Sequence, residues 1–177
     1  EGLELEIGRK SVWFKLIGDF NAYNLLAVYG SAILLGQDSD EVLTKLSGLE
    51  GAVGRFQLVF PGSRLTAIVD YAHTPDALQN VLETIGQFRT GAEQIITVVG
   101  WGGNRDRTKR PLMASIACKL SDKVVLTSDN PRDEDPMEII KEMQEGVMPT
   151  EVRKTLVMPD REEAIKTACM MARDKDI

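Results

Sequence analysis

From residue 54 onward the chain alternates short branched apolar runs with longer segments of helical period, and no other feature narrows its possible folds so far. "QIITVVG" (94–100), "KVVLT" (123–127) and "TLVM" (155–158) show no polar alternation. Each is followed by a helix-like segment: "RPLMASIACKL", "PMEIIKEMQEG" and "DREEAIKTACMMAR". A strand that is apolar on both sides must be covered on both sides, and a helix after each strand supplies the crossover to a parallel neighbour. The expected fold is therefore α/β, a mostly parallel sheet with helices on both faces. "TPDALQNVLETIGQF" reads as a further helix ahead of these strands, and "RFQLVF" and "RLTAIVD" around "PGS" read as a hairpin.

The first fifty residues have a different pattern. "LELEI" and "SVWFKL", joined by "GRK", predict an N-terminal hairpin. Phe20 to Leu35 then carries a long apolar face that stops at Gly36, which predicts a buried helix, and "SDEVLTKLSGL" predicts a second short one. A hairpin and two helices are too little to bury a core of their own. They are expected to be the tail of a domain whose main part lies upstream. The start on "EGLELEIG" without Met and the end on "ARDKDI", where an apolar strand begins, fit a piece of a longer protein.

Composition excludes several classes. A net charge of −6 speaks against a nucleic-acid surface. Cys118 and Cys169 both fall on helix-like segments, which gives neither a disulfide framework nor a metal spacing and suits a reducing compartment. No apolar run approaches the ~18 residues of a membrane span, and no signal peptide is visible. The expected location is cytoplasmic, with no membrane partner and no metal ligated by this chain.

In open parallel sheets, ligands bind at the carboxyl ends of the strands. Three polar loops are expected there: "DYAHTPD", "GWGGNRDRTKRP" and "SDNPRDEDP". In the first, Thr74, Pro75 and Asp76 read as N-cap, N1 and N2 of the following helix. Asp70 closes its strand, and His73 is the chain's one histidine. A capped helix start with a solvated histidine accounts for this loop, and so does an aspartate that meets ribose hydroxyls. In the second loop, Gly100, Gly102 and Gly103 let the backbone turn tightly ahead of Arg105, Arg107, Lys109 and Arg110. Those cations form either a solvated charge run or a clamp for phosphate or carboxylate. In the third, Asp135, Pro136 and Glu138 read as a capping box, which leaves "SDNPR" unexplained by helix initiation. Asp129, Asn130 and Arg132 offer an ammonium acceptor, an amide and a carboxylate fork, and Pro131 stiffens the loop. That set matches the head group of a free amino acid.

"GDFNAYNLLA", "GRFQLV", "VDYAHTPDAL", "GGNRDRTKRPLM" and "TSDNPRDEDP", in that order and spacing, closely resemble the Mur ligases of peptidoglycan synthesis, and "DNPR" resembles the signature of the diaminopimelate-adding type. The resemblance implies that residues 1–52 are the C-terminal part of a central ATP-binding domain. It implies that residues 53–177 are a Rossmann-like C-terminal domain truncated before its end. Asn21 and Asn24 match the asparagines that face adenine, and Arg55 matches the arginine that reaches the nucleotide phosphates. Asp70 matches the ribose-binding aspartate, with His73 in the same nucleotide-proximal motif. Arg105 and the Asp129, Asn130, Pro131, Arg132 loop match the diaminopimelate site. The implied cofactors are ATP and Mg2+, with the phosphate loop, the carbamylated lysine and the magnesium ligands upstream of residue 1. A "GKGHE"-like segment that completes the amino-acid site is expected beyond residue 177. No catalytic residue is assigned within the chain, which by itself is expected to be inactive.

The implied activity is ATP-dependent amide-bond formation. It joins meso-diaminopimelate to UDP-N-acetylmuramoyl-L-alanyl-D-glutamate through an acyl phosphate, in a monomer. One position departs from the family: Trp101 stands where a small residue, often Cys, is usual, and a ring turned inward would narrow the pocket that Arg105 serves. A folylpolyglutamate-synthase-like sibling shares the expected architecture, although "DNPR" speaks against it. A non-catalytic amino-acid-binding or interaction domain is the alternative from another class.

Overall fold

The computed structural model describes residues 2–59 and 65–177. It divides into two units, Glu1–Gln57 and Leu58–Ile177.

In the first unit, β1 (Leu3–Ile7) and β2 (Lys10–Phe14) pair antiparallel, with Leu3 opposite Phe14 and Leu5 opposite Val12. Gly8 makes the turn at φ 66°. The alternation puts Leu3, Leu5, Ile7, Val12 and Phe14 into one cluster with Leu25, Leu43 and Leu46, from α1 (Asp19–Leu34) and α2 (Ser39–Ser47). Asp38 caps α2, accepting the Asp40 and Glu41 N–H groups at 3.0 Å each. The expected helix is present and Gly36 ends it at φ 79°, but it is not buried. Leu25 is its one fully buried residue, while Tyr23 (76%), Leu26 (61%) and Leu34 (90%) are exposed. Apolar residues run around the whole helix, and β1 and α2 cover a single stripe of it.

The chain passes into the second unit along β3 (Gln57–Val59), which pairs with β4 (Ala67–Val69). The "PGS" turn expected between them lies outside the described residues. Helix α3 (Pro75–Phe88) follows, and then β5 (Ile96–Trp101), α4 (Lys109–Leu120), β6 (Lys123–Ser128) and α5 (Pro136–Gln144). A 3-10 turn over Val152–Lys154 leads into β7 (Thr155–Val157) and α6 (Arg161–Met171). The strands β5, β6 and β7 lie side by side and parallel, with Ile96 opposite Lys123 and Val124 opposite Thr155.

In the central strand Val124, Val125, Leu126 and Thr127 are all fully buried, as the unbroken apolar run requires. Val125, Ile96 and Val98 pack with Ala164 and Ala168 of α6. Thr97 faces the other way and meets Ser121, just past α4, at 2.7 Å. Helices therefore cover both faces, α6 on one and α4 on the other. Lys154 caps the α4 carboxyl end, donating to the carbonyl oxygens of Cys118 and Ser121. Residues 176–177 run beside β5: Ile177 donates to the Gln94 carbonyl at 2.9 Å and accepts from the Ile96 N–H at 2.8 Å.

Candidate functional site

Two of the three polar loops leave neighbouring strands of the parallel sheet, from β5 into α4 and from β6 into α5. The third follows β4, which pairs with β3 and not with that sheet. The strand-end grouping expected for all three loops therefore holds for two.

These two loops are bonded to each other along their backbones. The Gly103 N–H donates to the Asn130 carbonyl at 2.8 Å. A Cβ on Gly103 would stand 1.8 Å from the Pro131 carbonyl oxygen, so close approach, and not a tight turn, is what demands glycine here. Next to it Asn104, at φ 55°, donates its N–H to Glu134 Oε1 at 2.5 Å and its amide to Asp133 Oδ2 at 2.7 Å. Arg132 also has a positive φ, 51°. Left-handed backbone costs an L-residue about 1–2 kcal/mol, so this loop shape is imposed by its contacts. Beyond it the Glu134 N–H donates to the Pro131 carbonyl at 3.0 Å. The Asp135 carboxylate caps α5 through Met137 and Glu138 N–H, as the sequence predicts, but the Glu138 carboxylate that would complete the expected capping box lies 3.8 Å from Lys141 instead.

The four cations after the glycines do not act together as a clamp for a ligand. Arg110 is fully buried and bonds Glu134 Oε1 at 2.8 Å and Glu142 Oε2 at 2.7 Å. Arg107 pairs with the same Glu142, and Lys109 lies 3.8 Å from Asp106. The Arg110 guanidinium, and after it the Asn104 N–H, hold the Glu134 carboxyl well below its usual range, down to about 2. The Thr108 hydroxyl and N–H lower Asp106 in the same sense. Three of the cations therefore face this chain's own carboxylates. Arg105, Arg132 and Asp129 are exposed, and their side chains make no hydrogen bond or ion pair among the described residues. The loops thus present two unpaired guanidinium groups, a carboxylate and the Asn130 amide, a set able to take a zwitterion by charge-assisted bonds.

Trp101 is 6% exposed, and strand alternation puts its ring on the Thr97 side of the sheet, the side α4 covers. Its indole N–H has no partner among the described residues.

Of the positions matched to the nucleotide, Asn21, Asn24 and Arg55 lie in the first unit, and Asp70 and His73 lie in the second. Asn21 donates to the Ile17 carbonyl at 2.8 Å and accepts from Asn24 at 3.0 Å. Arg55 is exposed beside Phe56, whose ring meets Phe20 at 5.8 Å. Asp70 is half-buried and accepts the Ala72 N–H at 2.7 Å. His73 is exposed, with Nδ1 3.1 Å from the Tyr71 carbonyl oxygen and its ring 5.2 Å from that of Tyr71. Thr74 caps α3 through the Ala77 N–H at 3.2 Å, with Pro75 in the first turn as expected. No group of three or more His, Cys, Asp or Glu side chains among the described residues could hold a metal ion. No helix among them is long and apolar enough to cross a membrane.

Reading the sequence missed Arg110, Glu134 and Glu142 as a unit. The available signal was that Asp135 alone suffices to cap α5, which leaves Glu134 without a local task.

Residues 54–177 match the family model described as Mur ligase, glutamate ligase domain. Over its full length the chain is 59% identical to the UDP-N-acetylmuramoyl-L-alanyl-D-glutamate–2,6-diaminopimelate ligase of Cytophaga hutchinsonii and spans 36% of that relative's length. A solved structure of a ligase with that same name is 40% identical, with a TM-score of 0.65 over 95% of this chain and 34% of the other. The Mycobacterium tuberculosis folylpolyglutamate synthase complexed with ADP and AMPPCP, at 18% identity, shares the fold with a TM-score of 0.69 over 92% of this chain and 35% of the other.

Proposed function

The chain belongs to the Mur ligase family, and on that premise we propose that it is part of the ATP-dependent ligase that joins meso-diaminopimelate to UDP-N-acetylmuramoyl-L-alanyl-D-glutamate. Residues 53–177 act as its C-terminal, amino-acid-binding domain, and residues 1–52 belong to its central ATP-binding domain. The observation that carries this reading is the Asp129–Arg132 loop bonded to the glycine loop, with Arg132 and Arg105 left unpaired beside Asp129 and Asn130. The 59% identity to a relative of that name supports it and disfavours both the folylpolyglutamate-synthase-like and the non-catalytic readings.

In this reaction the γ-phosphoryl group of ATP passes to the D-glutamate carboxylate, giving an acyl phosphate and ADP. The diaminopimelate amine attacks the acyl carbon, the tetrahedral intermediate expels phosphate, and the nitrogen loses a proton. This chain's residues hold the amine. Arg132 takes the carboxylate at the far, non-reacting end, Asp129 takes an ammonium group, and Asn130 and Arg105 complete the grip. Asn21 and Asn24 face adenine, Arg55 the phosphates, and Asp70 the ribose, with His73 close by. Catalysis here is positioning in a site that excludes water, so no Ser or Cys nucleophile is needed. Magnesium, when bound, supplies charge neutralisation at the phosphates, and no step is assigned to an ion held by these residues. The enzyme acts in the cytoplasm as a monomer on small molecules, apart from nucleic acid and membrane.

Lysine tests the assignment, because it has the same chain length without the far carboxylate. Sites built around a polar group reject analogues lacking it by about 10⁴–10⁵. In the full-length ligase, Arg132→Ala raises the KM for diaminopimelate strongly and leaves the KM for ATP unchanged. Arg132→Lys restores part of the loss, because an ammonium cannot reproduce a two-pronged contact. Equal use of lysine and diaminopimelate by the wild type would refute the assignment.

A further inference from the structure

The amino-acid site has a built-in register device. We propose that Glu134, held by the buried Arg110, is the positioning residue that sets Arg132 against the glycine loop, and through it the enzyme's grip on the far carboxylate of the diamino acid. The inference rests on the function proposed above and adds to it a residue that touches no substrate.

The geometry is unusual in how much converges on one atom. Glu134 Oε1 accepts both the Arg110 guanidinium at 2.8 Å, from the first turn of α4, and the Asn104 N–H at 2.5 Å, from the glycine loop. Glu134 sits two residues after Arg132 and closes the turn around it through its own N–H to the Pro131 carbonyl. Arg110 cannot drift, because it is fully buried and its other arm is bonded to Glu142 of α5. One carboxylate therefore ties the loop that carries Arg132 to the loop that carries Arg105. Asn104 and Arg132, both in the left-handed region, lie on either side of that tie. Among the described residues the other links between the two loops are the Gly103 bond to Asn130, the packing of Gly103 on Pro131 and the exposed Asn104–Asp133 contact, and none of them carries the charge that Glu134 shares with the buried Arg110. An exposed arginine in a short loop grips a carboxylate well only if its backbone is already set, since a displacement of about 1 Å can cost 10²-fold.

The test is a double-mutant cycle in the full-length ligase, with steady-state titrations of diaminopimelate, ATP and the UDP-dipeptide. Glu134→Gln keeps the shape and an acceptor for Asn104 but loses the charge that Arg110 holds. It is expected to raise the KM for diaminopimelate about tenfold or more, the scale of a hydrogen bond to a charged group, with kcat and the other two KM values little changed. In an Arg132→Ala background the same substitution has almost no further effect, because the arginine it positions is gone. A merely structural role predicts the same factor in both backgrounds. Asp133→Ala, at an exposed position, loosens the parallel contact and is expected to shift the same KM in the same direction by a smaller factor. It carries the test if Glu134→Gln does not fold. An unchanged diaminopimelate KM in a folded Glu134→Gln enzyme, an equal effect in both backgrounds, or an Asp133→Ala effect on ATP instead would each overturn the inference while leaving the proposed function standing. A wild-type enzyme that does not use diaminopimelate would refute both.

Discussion

The sharpest perturbation is one methyl group at Gly103. A Cβ there would lie 1.8 Å from the Pro131 carbonyl oxygen, 2.6 Å from its carbon and 3.3 Å from Pro131 Cα, and all three atoms are backbone. To reach the ~3.3–3.6 Å that C–H···O contacts adopt, the two loops must part by more than an ångström. Overpacking of this kind destabilises by about 1–3 kcal/mol. Parting the loops also strains the 2.8 Å bond from Gly103 to Asn130 and the paired contacts of Asn104 with Asp133 and Glu134. Because the Arg132 loop moves with Pro131, kcat/KM for diaminopimelate should fall about 10²-fold, the effect of an ångström of misplacement. The neighbouring glycine is an internal control. A Cβ on Gly102 would meet the Asn130 carbonyl oxygen at 3.5 Å, an ordinary contact, so Gly102→Ala is expected to stay within the ~0.5 kcal/mol of a neutral surface change. Both variants are assayed in the full-length ligase by diaminopimelate and ATP titrations, with thermal unfolding alongside. If Gly103→Ala behaves like Gly102→Ala, or lowers kcat/KM for ATP and diaminopimelate equally, the close packing of the two loops does not control the amino-acid site.

Two further outcomes are expected. Glu134 is depressed from 4.5 to about 2 by Arg110, so its contribution to stability is complete above its unfolded value and is lost as pH falls through the folded one. Urea unfolding of wild type and Glu134→Gln should therefore show a stability gap that is constant above pH 4.5 and closes toward pH 2; a gap that widens on acidification would contradict the pairing. Asp70→Ala in the full-length enzyme should weaken ATP by about 1.5–3 kcal/mol, the scale of a hydrogen bond to a charged group, and diaminopimelate much less. Equal loss for both ligands would mean that the half-buried strand-end carboxylate has another task.

Much of the architecture was legible because it depends on neighbours a few residues apart. The unbroken apolar runs at 94–100 and 123–127 became the parallel strands β5 and β6, and the caps at Thr74 and Asp135 hold helices where their hydroxyl or carboxylate foretold. The span of α1 was equally plain, but its burial was not. Periodicity shows which face is apolar and says nothing of what lies against it, and here one stripe is covered.

At the candidate site the residue types at the strand ends are readable along the chain: glycines and arginines after β5, and Asp-Asn-Pro-Arg after β6. Which of those charges remain available depends on how distant segments pack. Arg107 and Arg110 look like ligand clamps until the chain folds and brings Glu142 to the first and both Glu134 and Glu142 to the second. The physical reason is one of range. Capping and strand patterning act over about one turn or one pleat, whereas a charge can be assigned to a ligand only after every carboxylate that the fold brings within bonding distance has been counted. For Arg110 those carboxylates come from a separate loop and a separate helix, so its pairing follows only once α4 and α5 pack together.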